Sequence, residues 1–296
     1  MILSEKIVII EPRSFTYNEE TGGDNFFQTN TSLKVPSETA LKEFHEFKNK
    51  LMKTGMEVNV FSPADDSVTP DSVFPNNWFS TTPNGQLILY PMMAANRRME
   101  RRTELIDRIK KNYSDIIDLT YLEKDELYLE GTGSLVIDHE NKIVFASLSQ
   151  RTNKKALQEW NKKMNYEIIT FESVDQNNEI IYHTNVVMSL ADRFAIVCLD
   201  AIKEKKDRES IQEKLSAKNE LIIISKEQMH SFCGNCIGLK NNSGERFIVM
   251  STQAYHAFTE KQKNRMIRYA TIIHSGLTTI ETIGGGSARC MIAELF

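Results

Sequence analysis

The sequence lacks an excess of positive charge, has few cysteines and contains no long hydrophobic run, and each absence excludes a class of protein. Its 296 residues include 36 basic and 40 acidic side chains, a net charge of −4, so the basic face of a nucleic-acid-binding protein is not expected. Four cysteines are too few for a disulfide scaffold, which predicts a reducing, cytoplasmic setting. The most apolar stretch, 186–199, is broken by Asp192 and Arg193, whereas a membrane span needs roughly 20 apolar residues.

Targeting, linker and nucleotide-binding signals are also missing. The first ten residues carry Glu5 and Lys6 inside an apolar run, which is typical of a β-strand and not of a signal peptide. No Pro-rich or Ser-rich linker divides the chain. Neither a GxGxxG nor a GxxxxGK[ST] motif follows a predicted strand, so nothing indicates a nucleotide site.

Strand and helix patterns alternate along the whole chain. Apolar residues at helical spacing predict helices over 37–51, 101–113, 152–164, 205–217 and 259–274. Runs of β-branched and apolar residues predict strands over 7–10, 58–61, 134–137, 143–147, 167–171, 186–190, 195–199, 221–224, 246–251 and 278–283. About five helix-bearing units of roughly 59 residues account for this pattern. The strand pairs that lack a helix between them argue against one doubly wound sheet.

The most unusual segment lies near the end of the chain, where three glycines precede a cysteine. The cluster Gly284–Gly286 is costly in conformational entropy unless the backbone must approach another group closely. Cys290 follows it. Its thiolate could be a nucleophile activated by nearby positive charge or backbone N–H groups. Alternatively, Cys290 is a small buried apolar residue beside a turn.

Two titratable residues lie at the ends of predicted strands. His183 comes two residues before Asn185 and could be a general acid/base with a partner that orients it. Glu130 lies in a Leu-Glu-Gly sequence between apolar segments, where it could bind a polar or cationic substrate group or hold the proton of the histidine. The alternatives are a partly exposed loop histidine and an ion pair at a strand end.

Two further loops carry polar residues. Asp71 is followed by Asn76 and Asn77 among aromatic residues, which suits a recognition loop for a small polar substrate, although such residues also form turns. Cys233 and Cys236 form a CxxC motif that could be redox-active or half of a zinc site. A second CxxC is lacking, and the Gly-Asn pair between the cysteines is explained by a tight turn, the interpretation that we favour.

Taken in order, these motifs resemble the guanidine-group-modifying enzymes, the superfamily of arginine deiminase, dimethylarginine hydrolase, succinylarginine dihydrolase and the amidinotransferases. The resemblance covers nearly the whole chain. Its opening segment, 12–28, is most similar to the branch of citrulline-utilisation hydrolases. The matching motifs are Asp-x-x-Phe-x-x-Asn from Asp71, Leu-Glu-Gly around Glu130, His-Thr-Asn from His183 and Gly-Gly-Gly-Ser-Ala-Arg-Cys ending at Cys290.

The resemblance implies an α/β fold, the pentein β/α-propeller, with about five ββαβ-type units and pseudo-fivefold symmetry in a single catalytic domain spanning 1–296. It implies a small-molecule substrate and no metal or organic cofactor, and it leaves open whether the chain forms a homo-oligomer. The implied catalytic residues are Cys290 as nucleophile, His183 as general acid/base and Glu130, which would bind the substrate's nitrogen and position His183. The implied substrate-binding residues are Asn77, Asn185, Arg151 (for the carboxylate), Asp71, Asp24 and Asn25.

One departure from the superfamily bears on the substrate. In arginine deiminases the positions of Asn77 and Asn185 are usually aspartates that hold the cationic guanidinium. Neutral carboxamides can instead donate to and accept from a neutral ureido group. We therefore predict hydrolysis of citrulline to ornithine, ammonia and carbon dioxide, with arginine or a modified arginine as the alternative substrate. An amidinotransferase, a partner-binding pentein and a CxxC metal or redox protein are further alternatives.

Overall fold

The computed structural model describes residues 1–31, 36–63 and 68–296, in which short strands form five separate three-stranded sheets. The strands are β1 (Lys6–Ile10), β2 (Glu57–Phe61), β3 (Phe79–Thr81), β4 (Gln86–Leu89), β5 (Asp115–Asp118), β6 (Val136–Asp138), β7 (Ile143–Ser147), β8 (Glu167–Phe171), β9 (Met188–Ala191), β10 (Phe194–Val197), β11 (Glu220–Ile223), β12 (Ile237–Lys240), β13 (Arg246–Ser251), β14 (Thr271–Ser275) and β15 (Ala293–Leu295).

Helices connect or precede these strands. They are α1 (Pro36–Met52), α2 (Ala95–Arg98), α3 (Thr103–Lys110), α4 (Gly131–Ser134), α5 (Lys154–Met164), α6 (Thr184–Val187), α7 (Lys205–Ser216), α8 (Lys226–His230), α9 (Thr252–Ala257), α10 (Glu260–Met266) and α11 (Thr278–Gly284). Within the described ranges, none of them has the length and apolar character needed to cross a membrane.

Each sheet combines one antiparallel and one parallel strand pair around a shared middle strand. In four sheets a hairpin is followed by helix and then by a parallel strand; they are β3-β4-β5, β6-β7-β8, β9-β10-β11 and β12-β13-β14. The remaining sheet joins distant parts of the chain. There β15 runs antiparallel to β1, with Val8 opposite Ala293, and α1 connects β1 to the parallel strand β2. The fold is therefore mixed α/β with five small sheets.

Helix α1 illustrates how helices cover the sheets. Ala40, Phe44, Phe47 and Leu51 recur every three or four residues, and all four are fully buried. They share one apolar cluster with Ile7 of β1. Burying a Phe or Leu side chain contributes about 1.5–3 kcal/mol, so this apolar face fixes the helix on its sheet.

Two predicted elements differ from the structure over much of their length. Residues 278–283, predicted as a strand, belong to helix α11, because Ile280 and Ile283 recur at helical spacing and are buried together. The helix predicted over 259–274 ends at Met266, and strand β14 follows, because parallel pairing with β13 satisfies the backbone of that β-branched stretch. In both segments tertiary packing outweighed the local pattern.

Candidate active site

The loops that lead into the first strand of each hairpin, and into β15, carry the polar residues of interest. The strands predicted from 134 and from 186 begin only at Val136 and Met188, because the short helices α4 and α6 occupy the preceding residues. Each of these five loops carries a polar or nucleophilic residue. These residues are Asn77 before β3, Glu130 before β6, His183 before β9, Asn235 before β12 and Cys290 before β15.

A narrow cavity lies where these loops meet, with room for about one water molecule between the side chains that line it. Three predicted residues do not line it but are one hydrogen bond away: Glu130 contacts His183, Asn185 contacts Cys290 and Asp24 contacts Arg151. The structure thus brings the predicted set together. The residues lining the cavity are Asn25, Asp71, Phe74, Asn77, Arg97, Arg151, Tyr182, His183, Gly284, Gly286 and Cys290.

His183 and Glu130 form a buried pair beside the cavity. The distance from His183 Nε2 to Glu130 Oε2 is 2.9 Å. Burial lowers the pKa of His183, although Glu130 opposes this shift. Burial alone would raise the pKa of Glu130, but Arg151, His183 and Arg97 outweigh it and lower that pKa to about 2. Because a carboxylate only accepts hydrogen bonds, Nε2 carries the proton and Nδ1 of His183 is free to accept one.

Cys290 lies beside two carboxamides. Its Sγ accepts hydrogen bonds from Asn235 Nδ2 at 3.2 Å and from Asn185 Nδ2 at 3.5 Å. Cys290 is 5% exposed. N–H donors aimed at sulfur favour the thiolate over the thiol, so this cysteine has the surroundings of a nucleophile.

The CxxC motif has none of the features of a metal or redox site. Cys233 and Cys236 are buried in an apolar cluster, and burial raises the pKa of both thiols. Across the described ranges there is no group of three or more His, Cys, Asp or Glu side chains suited to a metal ion. The tight turn remains as the explanation of the motif.

Two site residues that the sequence did not predict, Arg97 and Glu100, orient Asn77. Both are buried, and Glu100 accepts from Arg97 Nε and Nη2 at 2.9 and 3.0 Å. Arg97 Nη1 donates to Asn77 Oδ1 at 2.7 Å. Asn77 Nδ2 and Asn185 Oδ1 are buried and have no partner among the described residues. The two carboxamides therefore offer one donor and one acceptor.

Residues 11–31 cover the cavity. Arg151 Nε donates to Asp24 Oδ2 at 2.7 Å, and its Nη2 donates to the other oxygen of Asp24 and to the Thr21 carbonyl. The guanidinium predicted to hold a substrate carboxylate is thus occupied by Asp24 of the covering segment. Asp71 accepts from Thr21 and from Asn18, and burial raises the pKa of Asp71 although Arg97 opposes this shift.

The glycine cluster contacts this covering segment. Gly285 has φ of +65°, and a Cβ there would lie 2.4 Å from Asn25 Nδ2. Asn25 and Gln28 both donate to the carbonyl of Gly284. The close backbone approach expected from the glycines is therefore an approach to the segment above the cavity, a few residues before Cys290.

Comparisons with known proteins identify the family of the chain and structures with a similar fold. A model of the family "N,N dimethylarginine dimethylhydrolase, eukaryotic" matches residues 11–296. The N-terminal domain of ArgZ, an arginine dihydrolase from the ornithine-ammonia cycle in cyanobacteria, superposes in its substrate-bound form with a TM-score of 0.77 at 17% identity. That alignment covers 98% of this chain and 97% of that one.

Two further structures are similar. Full-length ArgZ superposes with a TM-score of 0.77 at 17% identity over 97% of this chain and 40% of that one, so this chain spans less than half the length of that protein. A dimethylarginine dimethylaminohydrolase in an adduct with S-methyl-L-thiocitrulline gives a TM-score of 0.68 at 14% identity, covering 99% of this chain and 100% of that one. No curated protein sequence matches the chain.

Fold, site and comparisons together define the class of protein. It belongs with the guanidine-group-modifying enzymes, as the motifs predicted. Because the family match extends over 11–296, the chain belongs to the N,N dimethylarginine dimethylhydrolase family.

Proposed function

We propose that the chain hydrolyses free arginine to ornithine, two molecules of ammonia and carbon dioxide, with citrulline as the bound intermediate. The observation that carries this proposal is the placement of Cys290, His183 and Asn77 around one cavity, with Glu130 hydrogen-bonded to His183 and Asn185 hydrogen-bonded to Cys290. The citrulline hydrolysis predicted from the sequence becomes the second half of the reaction.

The charge around the cavity favours a cationic substrate. Two guanidinium groups, Arg97 and Arg151, are outnumbered by four carboxyl groups that lie within the same network of contacts. These are Asp24, Asp71, Glu100 and Glu130. Burial raises the pKa of Asp71 and raises that of Glu100 to about 7, whereas Glu130 stays ionised, so the excess of negative charge is greatest above pH 7. Arginine carries a net charge of +1 and citrulline is neutral overall, so this excess favours arginine as the molecule that enters.

The amide pair explains why the reaction would continue beyond citrulline. A ureido group has one carbonyl acceptor and N–H donors. Asn77 Nδ2 can donate to its carbonyl and Asn185 Oδ1 can accept from its nitrogen, because Arg97 and Cys290 occupy the other ends of these amides. A site that holds both guanidino and ureido groups keeps citrulline in place for a second attack.

The chemistry uses the same residues twice. His183 takes the proton of the Cys290 thiol, and Sγ bonds to the guanidino carbon. The bond from that carbon to a terminal nitrogen breaks as His183 gives this proton to the departing ammonia. His183 then takes a proton from water, the water oxygen bonds to the carbon, and the C–S bond breaks with the proton returning to sulfur, which gives citrulline and the free thiol. A second attack on the ureido carbon releases the second ammonia. Hydrolysis of that thioester-like intermediate leaves a carbamate, which decomposes to ornithine and carbon dioxide. Glu130 stabilises the positive charge on His183 in each proton transfer.

The relatives support this reaction and one competitor. ArgZ is an arginine dihydrolase, whereas the family match favours methylated arginine as substrate, with citrulline and dimethylamine as products. Both reactions begin with the same attack by Cys290. They differ in the leaving amine and in the fate of citrulline.

Product analysis separates these reactions. Purified protein would be incubated separately with arginine, citrulline, dimethylarginine, and arginine plus glycine as amine acceptor, and the products quantified by mass spectrometry and an ammonia assay. We expect ornithine from arginine and from citrulline, two ammonia per arginine, and no product with Cys290→Ala. Accumulation of citrulline from arginine would indicate a deiminase, and amidinated glycine would indicate a transferase. Dimethylamine from dimethylarginine, without turnover of arginine, would indicate the dimethylarginine reaction. Each of these results overturns the proposal.

The proposal extends to the architecture. The recurring hairpin, helix and parallel strand support a β/α-propeller with pseudo-fivefold symmetry, and the loops of all five units support one catalytic domain over 1–296. The four unpaired cysteines support a cytoplasmic setting.

A further inference from the structure

The turn between Cys233 and Cys236 places a second carboxamide on the sulfur of Cys290. Asn235 is 1% exposed, and every polar atom of its side chain is used. Oδ1 accepts from the backbone N–H of Arg289 at 3.1 Å. Nδ2 donates to the carbonyl of Asn185 at 3.2 Å and to Cys290 Sγ at 3.2 Å.

This network fixes which end of the amide faces the sulfur. If the carboxamide were reversed, Oδ1 would face the carbonyl of Asn185 and the sulfur of Cys290, and the NH₂ group would face the N–H of Arg289. Like groups would then meet at the Asn185 carbonyl and at the Arg289 N–H, and a Cys290 thiolate would face an oxygen that cannot donate to it. The protein therefore holds an N–H donor on Sγ.

The surrounding turn is built to hold Asn235 close. A Cβ on Gly234 would lie 2.0 Å from the carbonyl oxygen of Val186, so only glycine lets the turn pack against α6. Phe232 has φ of +61°, a conformation that costs free energy in a residue other than glycine. Strain of this kind persists where the fold demands a particular placement, and here the placed group is Asn235.

We propose that Asn235 is a catalytic residue, whose Nδ2–H hydrogen-bonds and stabilises the Cys290 thiolate ahead of its attack. The inference rests on the proposed role of Cys290 as nucleophile. When the thiol releases its proton, the sulfur becomes a stronger hydrogen-bond acceptor, so a fixed donor favours the anion. Asn185 supplies a second, longer contact of the same kind. The CxxC motif then serves to position the asparagine between its cysteines.

Two substitutions separate this role from simple support of the loop. Asn235→Asp keeps Oδ1 for the N–H of Arg289 but removes the donor to sulfur, whereas Asn235→Ala removes both without adding charge. Asn241→Asp is the matched control, since Asn241 is a buried asparagine at the other end of β12, away from Cys290. The pH at which Cys290 ionises is followed by thiolate absorbance near 240 nm, with the titration of Cys290→Ala subtracted.

We expect the ionisation midpoint of Cys290 to rise by about one pH unit or more in both Asn235 variants. We also expect iodoacetamide alkylation at pH 7 to slow about tenfold. Both effects follow because losing a hydrogen bond to a charged group changes the ionisation equilibrium by about tenfold. Asn241→Asp leaves both quantities unchanged. A midpoint that stays at the wild-type value, or that moves only in Asn235→Asp through charge repulsion, overturns the proposal. Neither measurement uses a substrate, so the result stands apart from the arginine assay.

Discussion

The two groups of residues that meet at the cavity differ in charge. The ionic cluster consists of Asp24, Asp71, Arg97, Glu100, Glu130 and Arg151, joined by ion pairs and charge-assisted hydrogen bonds. The amide cluster consists of Cys290, Asn185 and Asn235, in which neutral amides contact the sulfur. A cation fixed beside the thiolate would stabilise it strongly, and the nucleophilicity of a thiolate falls as its pKa falls. Neutral donors stabilise the thiolate less than a cation would, so less nucleophilicity is lost. In the proposed function the charges are concentrated where they would bind a charged substrate and position the histidine.

A buried carboxyl group near the amide cluster fits this distinction. Glu281 of α11 accepts a hydrogen bond from Ser287 Oγ at 2.6 Å, within the segment that leads to Cys290. Burial raises the pKa of Glu281 to about 7, although hydrogen bonds from Ser251 and Ser287 oppose the shift. The carboxyl group of Glu281 is thus held largely neutral below pH 7.

Removing charge from the ionic cluster should have the largest effect. In Glu130→Gln the side chain can no longer stabilise positive charge on His183, and we expect kcat to fall about 10³-fold, within the range for general acid–base catalysis. Steady-state kinetics with arginine measures this. Glu123→Gln is the matched control, since Glu123 pairs with Arg101 outside the cavity lining. A Glu130→Gln enzyme within tenfold of wild type would show that the charge is dispensable.

The same variant tests the acid stability of the ionic cluster. The folded-state pKa of Glu130, about 2, lies below its ordinary value of 4.5. Ionised Glu130 therefore contributes stability above pH 4.5, and this contribution is lost as the pH falls from 4.5 towards 2. Urea unfolding at pH 5 and pH 3 should show a smaller loss of stability in Glu130→Gln than in wild type.

The neutral state of Glu281 can be tested through the pH dependence of stability. Its folded-state pKa is raised above the ordinary 4.5, so the folded protein binds this proton more tightly than the unfolded chain, and stability falls as the pH rises from 4.5 through 7. Glu281→Gln should remove about 2 kcal/mol of this fall between pH 5 and pH 7. Urea unfolding at the two pH values measures it, with the exposed Glu260→Gln as control. Equal slopes in Glu281→Gln and wild type would mean that Glu281 is ionised in the folded state.

The smallest effect is expected at the covering segment. Asp24→Asn replaces the charged partner of Arg151 and so weakens a charge-assisted hydrogen bond at a partly exposed position. We expect the population of locally opened residues 11–31 to rise about fivefold. Thermolysin cleavage in this segment, followed by mass spectrometry, reports that opening. The exposed Glu19→Gln serves as control. Unchanged cleavage would show that the ionic cluster does not hold the segment in place.

Much of this site was predictable because its chemistry lies in ordered motifs. Cys290, His183 and Glu130 occupy unusual sequence contexts, and the structure places them around one cavity. Strands β7 and β13 have the predicted bounds. The bounds of both strands could be predicted because buried central strands show an unbroken apolar pattern.

The residues that escaped prediction owe their roles to tertiary packing. Arg97 lies among Arg98, Glu100 and Arg101, a composition typical of a solvent-exposed helix, and only the surrounding loops bury it. No local pattern distinguishes it from its neighbours. The sequence predicts a turn at Asn235, and the chemical interpretations of that segment concern only the two flanking cysteines. The strand predicted over 278–283 was wrong because its β-branched residues favour strands, whereas burial on one side selected a helix.

The pairing of β15 with β1 has a consequence for biosynthesis. Cys290 precedes β15, and β15 completes a sheet whose other two strands lie far earlier in the sequence. The edge of β1 stays unpaired until β15 has been synthesised, and this contact of very long sequence separation is expected to form late and slowly. The thiol of the proposed nucleophile is then positioned only when β15 docks, so a chain cut before β15 would hold the other proposed catalytic groups without that thiol in place.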